Sequence, residues 1–262
     1  MKNFFKNMKK YNKYAIRAAK SELKSEVADS YLNWLWWIIE PFCFMLIYTF
    51  VFGTVFHNTQ QYFASFVMVG QALWQFFERM IKGSVNLIIS NRDLVTKVYL
   101  PKYILLYSKS LTYLFKFAIS LGLAIGLMIF QHVPITIYFL YIIPVLIVLY
   151  LLSFGIGLIL MHFGVTLNDL ANLTNIALRM VFYLSGIFYN IRARLHGTLG
   201  YLLLRLNPAA FLMDEARKAM IWGPKYHLGL KVLCVWCLVA VLLCIIGINL
   251  IHKNENSYAK VI

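Results

Sequence analysis

Long apolar runs separated by short polar segments dominate the chain, and six of them have about the length of a membrane span. From Phe117 to Asn168 there is no Asp, Glu, Lys or Arg, and Gln131, His132 and Pro134 divide this stretch into a predicted helical hairpin. About 20 mainly apolar residues cross the hydrocarbon core of a bilayer, so the pattern predicts an all-α integral membrane protein with six transmembrane helices. The predicted spans are Asn33–Phe56, Tyr62–Ile81, Ser110–Phe130, Ile137–Phe163, Asn172–Tyr189 and Leu228–Ile251.

The composition supports lipid as the solvent of these helices. Of the 262 residues, 61% are hydrophobic and 13% are charged, whereas about a quarter are charged in an ordinary soluble domain. A soluble enzyme of this length could not bury so much apolar surface. The four cysteines lie inside apolar runs, where reduced thiols are expected rather than disulfides or metal ligands.

The basic residues predict the orientation of the chain in the membrane. Lys and Arg number 25 against 10 Asp and Glu, and they cluster before the first span and between the second and third. Loops that face an anionic cytoplasmic leaflet have this pattern, so both termini, including the tail 252–262, are expected in the cytoplasm. The charge lies between apolar runs rather than on a soluble fold, which argues against nucleic acid as a partner.

One connection contradicts this rule. With a cytoplasmic N-terminus and six spans, residues 191–227 between the fifth and sixth spans would lie outside, although they carry several basic residues. Either the number of spans differs from six, or this link is special. Two short helices that dip into the outer leaflet and return would fit the pattern. Asn207 and Pro208 end one such element and can start the next, since Pro fits the first turn of a helix.

Two amphipathic segments flank the first spans. Residues 1–32 have basic and apolar faces at helical spacing, typical of a helix in the cytoplasmic headgroup plane; a solvated basic tail is the alternative. The segment at about 84–101 also has an apolar stripe, and it could lie on the membrane or be held by a soluble partner. The basic face of the first segment comprises Lys13, Arg17, Lys20 and Lys24. The apolar stripe of the second comprises Leu87, Ile88, Leu94, Val95 and Val98.

Motifs for catalysis are missing, whereas several residues within the spans are candidates for a translocation path. The sequence has no GxxxxGK[ST] phosphate loop, HExxH or GxSxG motif and no paired zinc ligands, so neither an enzyme nor a metal site is expected. Glu40 is either a polar contact between helices or part of a path, and an ion-coupled secondary transporter is the alternative class in which it would act. Arg179 is expected to snorkel or to pair internally. Aromatic faces can stack on sugar rings, although lipid contact and packing are the favoured explanation of any single ring. The path candidates are Trp37, Glu40, Tyr48, Phe52, Tyr183, Phe188 and Tyr189.

Four segments of the sequence carry a family resemblance. They are LWWIIEPFCFMLIYTFVFGTVF (Leu35–Phe56), NRDLVTKVYLPKYILL (Asn91–Leu106), FYLSGIFYN (Phe182–Asn190) and LNPAAFLMDEARKAMIWG (Leu206–Gly223). In this order, and over nearly the whole chain, they resemble the ABC-2 type permeases that export polysaccharides, O-antigen and teichoic acids. Permeases for drugs or small lipids share the fold and are the alternative.

The resemblance implies a half-transporter in the bacterial plasma (inner) membrane, with residues 33–251 as the transmembrane domain. Two copies would enclose the path as a homodimer surrounded by membrane lipids, and a separate ATPase subunit that holds ATP and Mg²⁺ would bind each copy. The implied substrate is a glycan linked to a polyprenyl diphosphate. The residues implied to contact the ATPase are Asn91, Arg92, Asp93, Lys97 and Tyr99. Those implied in the re-entrant helices are Asn207, Pro208, Glu215 and Arg217.

Overall fold

The computed structural model describes residues 2–28, 31–57, 60–194, 198–223, 227–255 and 258, and these residues are largely helical, as the all-α prediction requires. Parts of the predicted N-terminal segment (1 and 29–30), outer link (195–197 and 224–226) and tail (256–257 and 259–262) lie outside the described residues. The α-helices in the described ranges are α1 Lys2–Val27, α2 Trp36–Tyr48, α3 Phe63–Val85, α4 Leu87–Ser90, α5 Arg92–Lys97, α6 Tyr103–Phe130, α7 Ile142–Phe163, α8 Leu170–Leu184, α9 Ile191–Arg194, α10 Thr198–Leu206, α11 Pro208–Arg217 and α12 Leu230–Lys253. 3-10 turns precede α2 and α7, and π-helical turns extend α2 to Val55 and α11 to Trp222.

Four helical stretches are long and apolar enough to cross a membrane, which makes the chain a multi-pass helical membrane protein. They coincide with the first, third, fourth and sixth predicted spans, and they are Asn33–Val55, Tyr103–Phe130, Ile137–Phe163 and Leu230–Lys253. Helices α3 and α8 occupy the positions of the second and fifth. Helix α3 carries Glu78, Arg79 and Lys82 in its last third, and α8 has 15 residues, fewer than the ~20 that cross a bilayer. The number of six spans therefore stays a prediction.

The fifth predicted span ends earlier than its hydropathy suggests. Helix α8 stops at Leu184, and residues 185–190 form turns in which Gly186 has a φ of +65°. This left-handed conformation is open to glycine at little cost, and a Cβ at this position would lie 2.6 Å from Cγ1 of Ile191. Ile187 and Phe188 are consequently buried in the turn instead of continuing the helix.

Helix α3 is the central helix of the bundle. Most of its residues are buried, and it packs against α2, α6, α7, α8 and α11. Helices α7 and α12 form another tight pair, in which a Cβ on Gly155 would lie 2.8 Å from the Cys244 nitrogen and one on Gly247 would lie 2.5 Å from Cβ of Leu158. Small residues allow helix backbones to approach closely where lipid weakens the hydrophobic drive to pack.

Helix α1 runs alongside the first half of α6 through a row of polar contacts. Asn7 donates to the Tyr103 hydroxyl (2.9 Å) near its beginning, and Glu26 pairs with Lys116 (2.5 Å) near its end. Along α1, between these first and last contacts, further hydrogen bonds join Asn12 to Tyr107, the Ala15 carbonyl to Ser108, and Glu22 to Lys109 and Thr112. The predicted basic face is exposed and comprises Lys13, Arg17, Lys20 and Lys24. The segment is thus helical and amphipathic, while its place in the headgroup plane stays a prediction.

The connection between α3 and α6 differs from the single amphipathic helix predicted at about 84–101, because it consists of two short helices. Helix α4 ends and α5 begins at Asn91, whose side-chain amide donates back to the Leu87 carbonyl at 2.8 Å. Val95 is buried as the predicted stripe requires, but Val98 is exposed in extended backbone. The side chain of Asn91 competes with the helix ladder for the carbonyl group, which explains the break.

Candidate translocation site and coupling segment

Aromatic side chains from α2, its π-helical extension and the end of α8 meet at one place. The Phe188 ring stacks on Phe52 with centroids 4.6 Å apart and planes 1° from parallel, and its centroid lies 4.3 Å from that of Tyr48. Phe182 lies edge-on to Phe188 at 5.3 Å. We call these four rings the aromatic cluster. Three path candidates, Tyr48, Phe52 and Phe188, are therefore neighbours although the third lies 140 and 136 positions after the other two.

The remaining path candidates fall into two groups. Tyr183 and Tyr189 lie beside the aromatic cluster, where the Tyr189 hydroxyl donates to the Tyr183 carbonyl at 2.9 Å and the Tyr183 side chain is exposed. Trp37 is elsewhere, with its ring edge-on to Phe115 of α6 at 5.4 Å. Glu40 forms an ion pair with Arg79 at 3.5 Å, which joins α2 to α3.

A cavity of about 550 Å³ opens beside the aromatic cluster, between α2, α3 and α8. Asn175, Arg179 and Tyr183 recur every fourth residue of α8 and therefore line it from one helix face. We call it the polar cavity, and its lining residues are Tyr48, Glu78, Lys82, Asn175, Leu178, Arg179, Phe182 and Tyr183.

The charges of the polar cavity are incompletely paired. Glu78 accepts hydrogen bonds from Trp74 Nε1 (2.9 Å) and Lys82 Nζ (2.6 Å), so both of its oxygens are used. Among the residues that the structure describes, no carboxylate or other acceptor pairs with the Arg179 guanidinium. An ionisable group in a membrane helix is costly and marks a functional site by default. The sequence analysis expected Arg179 to snorkel or to pair internally and did not connect it with Lys82, although the cost of intramembrane charges marks it as a candidate.

Helices α10 and α11, which we call the hairpin, contain the residues assigned to the re-entrant helices. Asn207 caps α11, because its Oδ1 accepts from the backbone nitrogens of Ala209 (3.0 Å) and Ala210 (3.2 Å), and Pro208 occupies the first helical position. The Asn207 amide also donates to Ser185 Oγ at 3.0 Å, which ties the hairpin to the turn after α8. This helix start agrees with the sequence prediction, while re-entry from the outside stays a prediction.

Arg217 at the end of α11 is buried and holds three segments together. Its Nε donates to the Phe66 carbonyl (3.1 Å), Nη1 to the Gly186 carbonyl (2.8 Å) and Nη2 to the Ile187 carbonyl (2.8 Å). The guanidinium also lies over the Phe66 ring, 3.5 Å from its centroid. A Cβ at Gly70 would lie 2.1 Å from Nη2, so α3 needs glycine there to admit the arginine. Arg217 thus fixes the turn that carries Phe188.

A buried network of charges adjoins Arg217. Glu215 is 0% exposed and accepts from Lys218 Nζ (2.5 Å) and from the Gly229 nitrogen (2.7 Å). Lys218 also contacts Asp214 (3.2 Å), which in turn pairs with Arg192 (2.9 Å). Asp214 and Lys218 were not singled out from the sequence, because only the fold shows that this stretch is buried.

The residues that the resemblance implies to contact the ATPase lie in Leu87–Tyr99, which we call the coupling segment. Its exposed side chains are mostly polar, and buried contacts hold its backbone. Lys97 and Asp93 form an exposed pair at 3.6 Å. Beneath them the buried Lys102 donates to the Val95 carbonyl at 3.3 Å; burial lowers the pKa of Lys102, and the Glu255 carboxylate opposes this shift. Of the five predicted coupling residues, Asn91 is half-buried and the exposed ones are Arg92, Asp93, Lys97 and Tyr99.

Comparisons with known proteins show the family of the chain. The chain is 30% identical over 213 residues to an O-antigen export system permease protein of Myxococcus xanthus, which covers 78% of this chain and 79% of that protein. It is 21% identical to the corresponding protein of Klebsiella pneumoniae, with 92% of each chain covered. It is 26% identical to the polysialic acid transport protein of Escherichia coli, with 90% of this chain and 91% of that protein covered. The model of the ABC-2 type transporter family matches residues 17–221, and the chain therefore belongs to that family.

Proposed function

We propose that the chain is the permease subunit of an ATP-driven exporter that moves a lipid-linked polysaccharide, such as O-antigen, capsule or a teichoic-acid-like polymer, across the bacterial plasma membrane. The observation that carries this proposal is the similarity to O-antigen and polysialic acid transport proteins, which extends over about nine tenths of both chains. The half-buried members of the aromatic cluster, Tyr48, Phe52 and Phe182, support it, because large flat side chains offer contact area to sugar rings at little conformational cost. The exposed Tyr183 extends this surface towards the polar cavity.

The energy for export would come from a separate subunit that binds ATP and Mg²⁺, since this sequence lacks a phosphate-loop motif. In this proposal two copies form a homodimer with both termini in the cytoplasm and an ATPase bound to each coupling segment. ATP binding would draw the two ATPase subunits together. The coupling segment is continuous with α3 and α6, so it would pass this movement to α2 and α8 and open a path between the copies.

Deletion of the gene in the bacterium that encodes it tests the proposed function. We expect loss of the surface polysaccharide and accumulation of lipid-linked polymer inside the cell, both measured by gel electrophoresis of extracted glycans. The wild-type gene should restore export only together with an ATPase subunit whose phosphate-loop lysine is intact. Unchanged surface polymer after deletion would contradict the proposal.

Charge reversal in the coupling segment tests the contact with the ATPase. R92E and K97E should each reduce co-purification of the ATPase at least fivefold, because they invert a charge on the proposed docking surface. The fold should tolerate both, since Lys97 and Asp93 form an exposed pair worth less than about 1 kcal/mol. R194E is the matched control, as Arg194 is exposed near the hairpin. Equal recovery of the ATPase with all three variants would exclude this surface.

A further inference from the structure

We propose that the polar cavity binds the diphosphate group of a membrane lipid, with Arg179 and Lys82 as the residues that hold its oxyanions. The inference rests on the proposed function, because the exported polymer would bring such a group with its lipid carrier. It assigns a ligand to Arg179, which the sequence analysis expected to snorkel or to pair internally.

The balance of charge in the cavity is the first step. Two cations, Arg179 and Lys82, share it with one carboxylate, Glu78. Glu78 already accepts from Trp74 and Lys82, and within the described residues Arg179 has no acceptor. A guanidinium has five N–H donors in a planar fork that matches the oxygens of a phosphate. An anionic ligand would therefore supply the acceptors that the protein does not provide.

The uncharged lining of the cavity fits the same kind of group. Asn175 lies one turn before Arg179 on the same face of α8, and Tyr48 and Tyr183 line the cavity beside it. An amide and two phenols can donate further hydrogen bonds to phosphate oxygens. The volume of about 550 Å³ lies within the range of small-ligand sites.

The position of the cavity favours a lipid over a soluble anion. Arg179 lies nine residues after the start of α8, which is about 14 Å along the helix, and Lys82 lies three residues before the end of α3. The start of α8 and the end of α3 lie on the same side of the bundle. Gly164, which precedes α8, is so close to Val85 at the end of α3 that a Cβ on it would lie 1.8 Å from the Val85 carbonyl oxygen. The cavity thus extends from about 5 Å (Lys82) to about 14 Å (Arg179) along the helices from these two ends.

Apolar surface next to the cavity would accommodate the chain of such a lipid. Leu173, Ile176 and Met180 of α8 are each exposed by 60% or more, and they lie on the helix beside Asn175 and Arg179. A cationic cavity with exposed apolar surface beside it suits an amphiphile whose charged group enters the cavity and whose hydrocarbon chain stays in the bilayer.

Direct binding of a lipid diphosphate tests this inference. The complex of the chain with its ATPase subunit is placed in nanodiscs of phosphatidylcholine and titrated with radiolabelled farnesyl diphosphate. We expect saturable binding by the wild type and at least tenfold weaker binding by R179Q, equivalent to ~1.4 kcal/mol. R179K keeps the positive charge but lacks the planar fork, so it should bind less tightly than the wild type and more tightly than R179Q. K82Q should also lie between the wild type and R179Q, because Lys82 is shared with Glu78.

Controls in the same assay separate charge from position and lipid from soluble anion. K253Q also removes one exposed positive charge, at the end of α12, and should bind like the wild type. Farnesol and inorganic diphosphate at equal concentration should not displace the probe. Displacement by inorganic diphosphate would overturn the assignment to a lipid, and displacement by an equal amount of phosphatidylglycerol would overturn the assignment to a diphosphate carrier.

The result is independent of the test of the proposed function. If R179Q binds farnesyl diphosphate as tightly as the wild type does, the inference is wrong. The proposed function would still hold if the wild-type gene restores export. If the wild-type gene has no role in export of polysaccharide, the proposed function is wrong whatever the binding assay gives.

Discussion

Arg217 and Arg179 are the same residue type in opposite surroundings: Arg217 is buried in the bundle, whereas Arg179 is exposed in the polar cavity. Arg217 is 3% exposed, donates to three backbone carbonyls and lies over the Phe66 ring. Arg179 lines an open cavity, and the part of the chain that the structure describes offers it no acceptor. A guanidinium whose donors are all used stabilises the segments around it, whereas one with unused donors is available to a ligand.

The acidic residues repeat this contrast between the hairpin and the α2–α3–α8 region. Glu215 is fully buried, and both of its oxygens are occupied by Lys218 and Gly229. Glu40 is half-exposed, and its ion pair with Arg79 is longer, at 3.5 Å. Because a weak exposed pair exchanges partners at little cost while a buried network does not, we expect the hairpin to be rigid and the polar cavity to adapt to what enters it.

Removal of the Arg217 side chain should cause the largest loss of stability, because Arg217 belongs to the rigid hairpin. R217A leaves the carbonyls of Phe66, Gly186 and Ile187 without their donor and opens a cavity, for which we expect a loss of at least ~3 kcal/mol in stability. Thermal unfolding of the detergent-purified chain, followed by circular dichroism, measures the effect. R205A is the matched control in the same hairpin, since Arg205 is exposed and stacks on Tyr201 at 4.1 Å, a contact worth about 1 kcal/mol or less. Equal melting temperatures for the two variants would contradict the role assigned to Arg217.

Neutralisation of Glu215 should have the next largest effect. E215Q keeps the shape of the side chain but removes the charge that Lys218 contacts at 2.5 Å, so we expect a loss of about 2 kcal/mol. D93N, which removes a charge from the exposed pair with Lys97, should change stability by less than about 0.5 kcal/mol in the same assay. A melting temperature for E215Q as high as that of D93N would mean that the buried network does not stabilise the hairpin.

Local sequence signals were sufficient for the features that depend on neighbouring residues. The apolar runs located the long helices, Gln131 and His132 located the turn between α6 and α7, and Asn207–Pro208 located the start of α11. Each of these depends on hydropathy, on the lack of a proline donor or on a capping side chain within a few residues.

Features that depend on distant contacts could not be found in this way. The acceptor of Arg217 Nε lies 151 residues away, on Phe66. The end of α8 at Leu184 depends on how Gly186 packs against Ile191, and the polar cavity exists only because α3 and α8 are adjacent. Hydropathy and periodicity contain no information on such pairings, so the sequence pointed to Tyr48, Tyr183 and the charge of Arg179 without showing that they lie together beside Lys82.

Neutralisation of Arg179 should have the smallest effect on stability. This result would distinguish Arg179, which has no acceptor in the described residues, from the structural Arg217. R179Q removes no hydrogen bond within the described residues, and it removes a charge from an apolar helix, so stability should stay within about 0.5 kcal/mol of the wild type or rise slightly. The same unfolding assay, run beside R217A, measures it. A loss of more than ~1.5 kcal/mol would mean that Arg179 has a structural partner, such as a residue of the second copy. With unchanged stability, any loss of lipid diphosphate binding by R179Q would come from the missing charge itself, because the fold that holds the cavity would be intact.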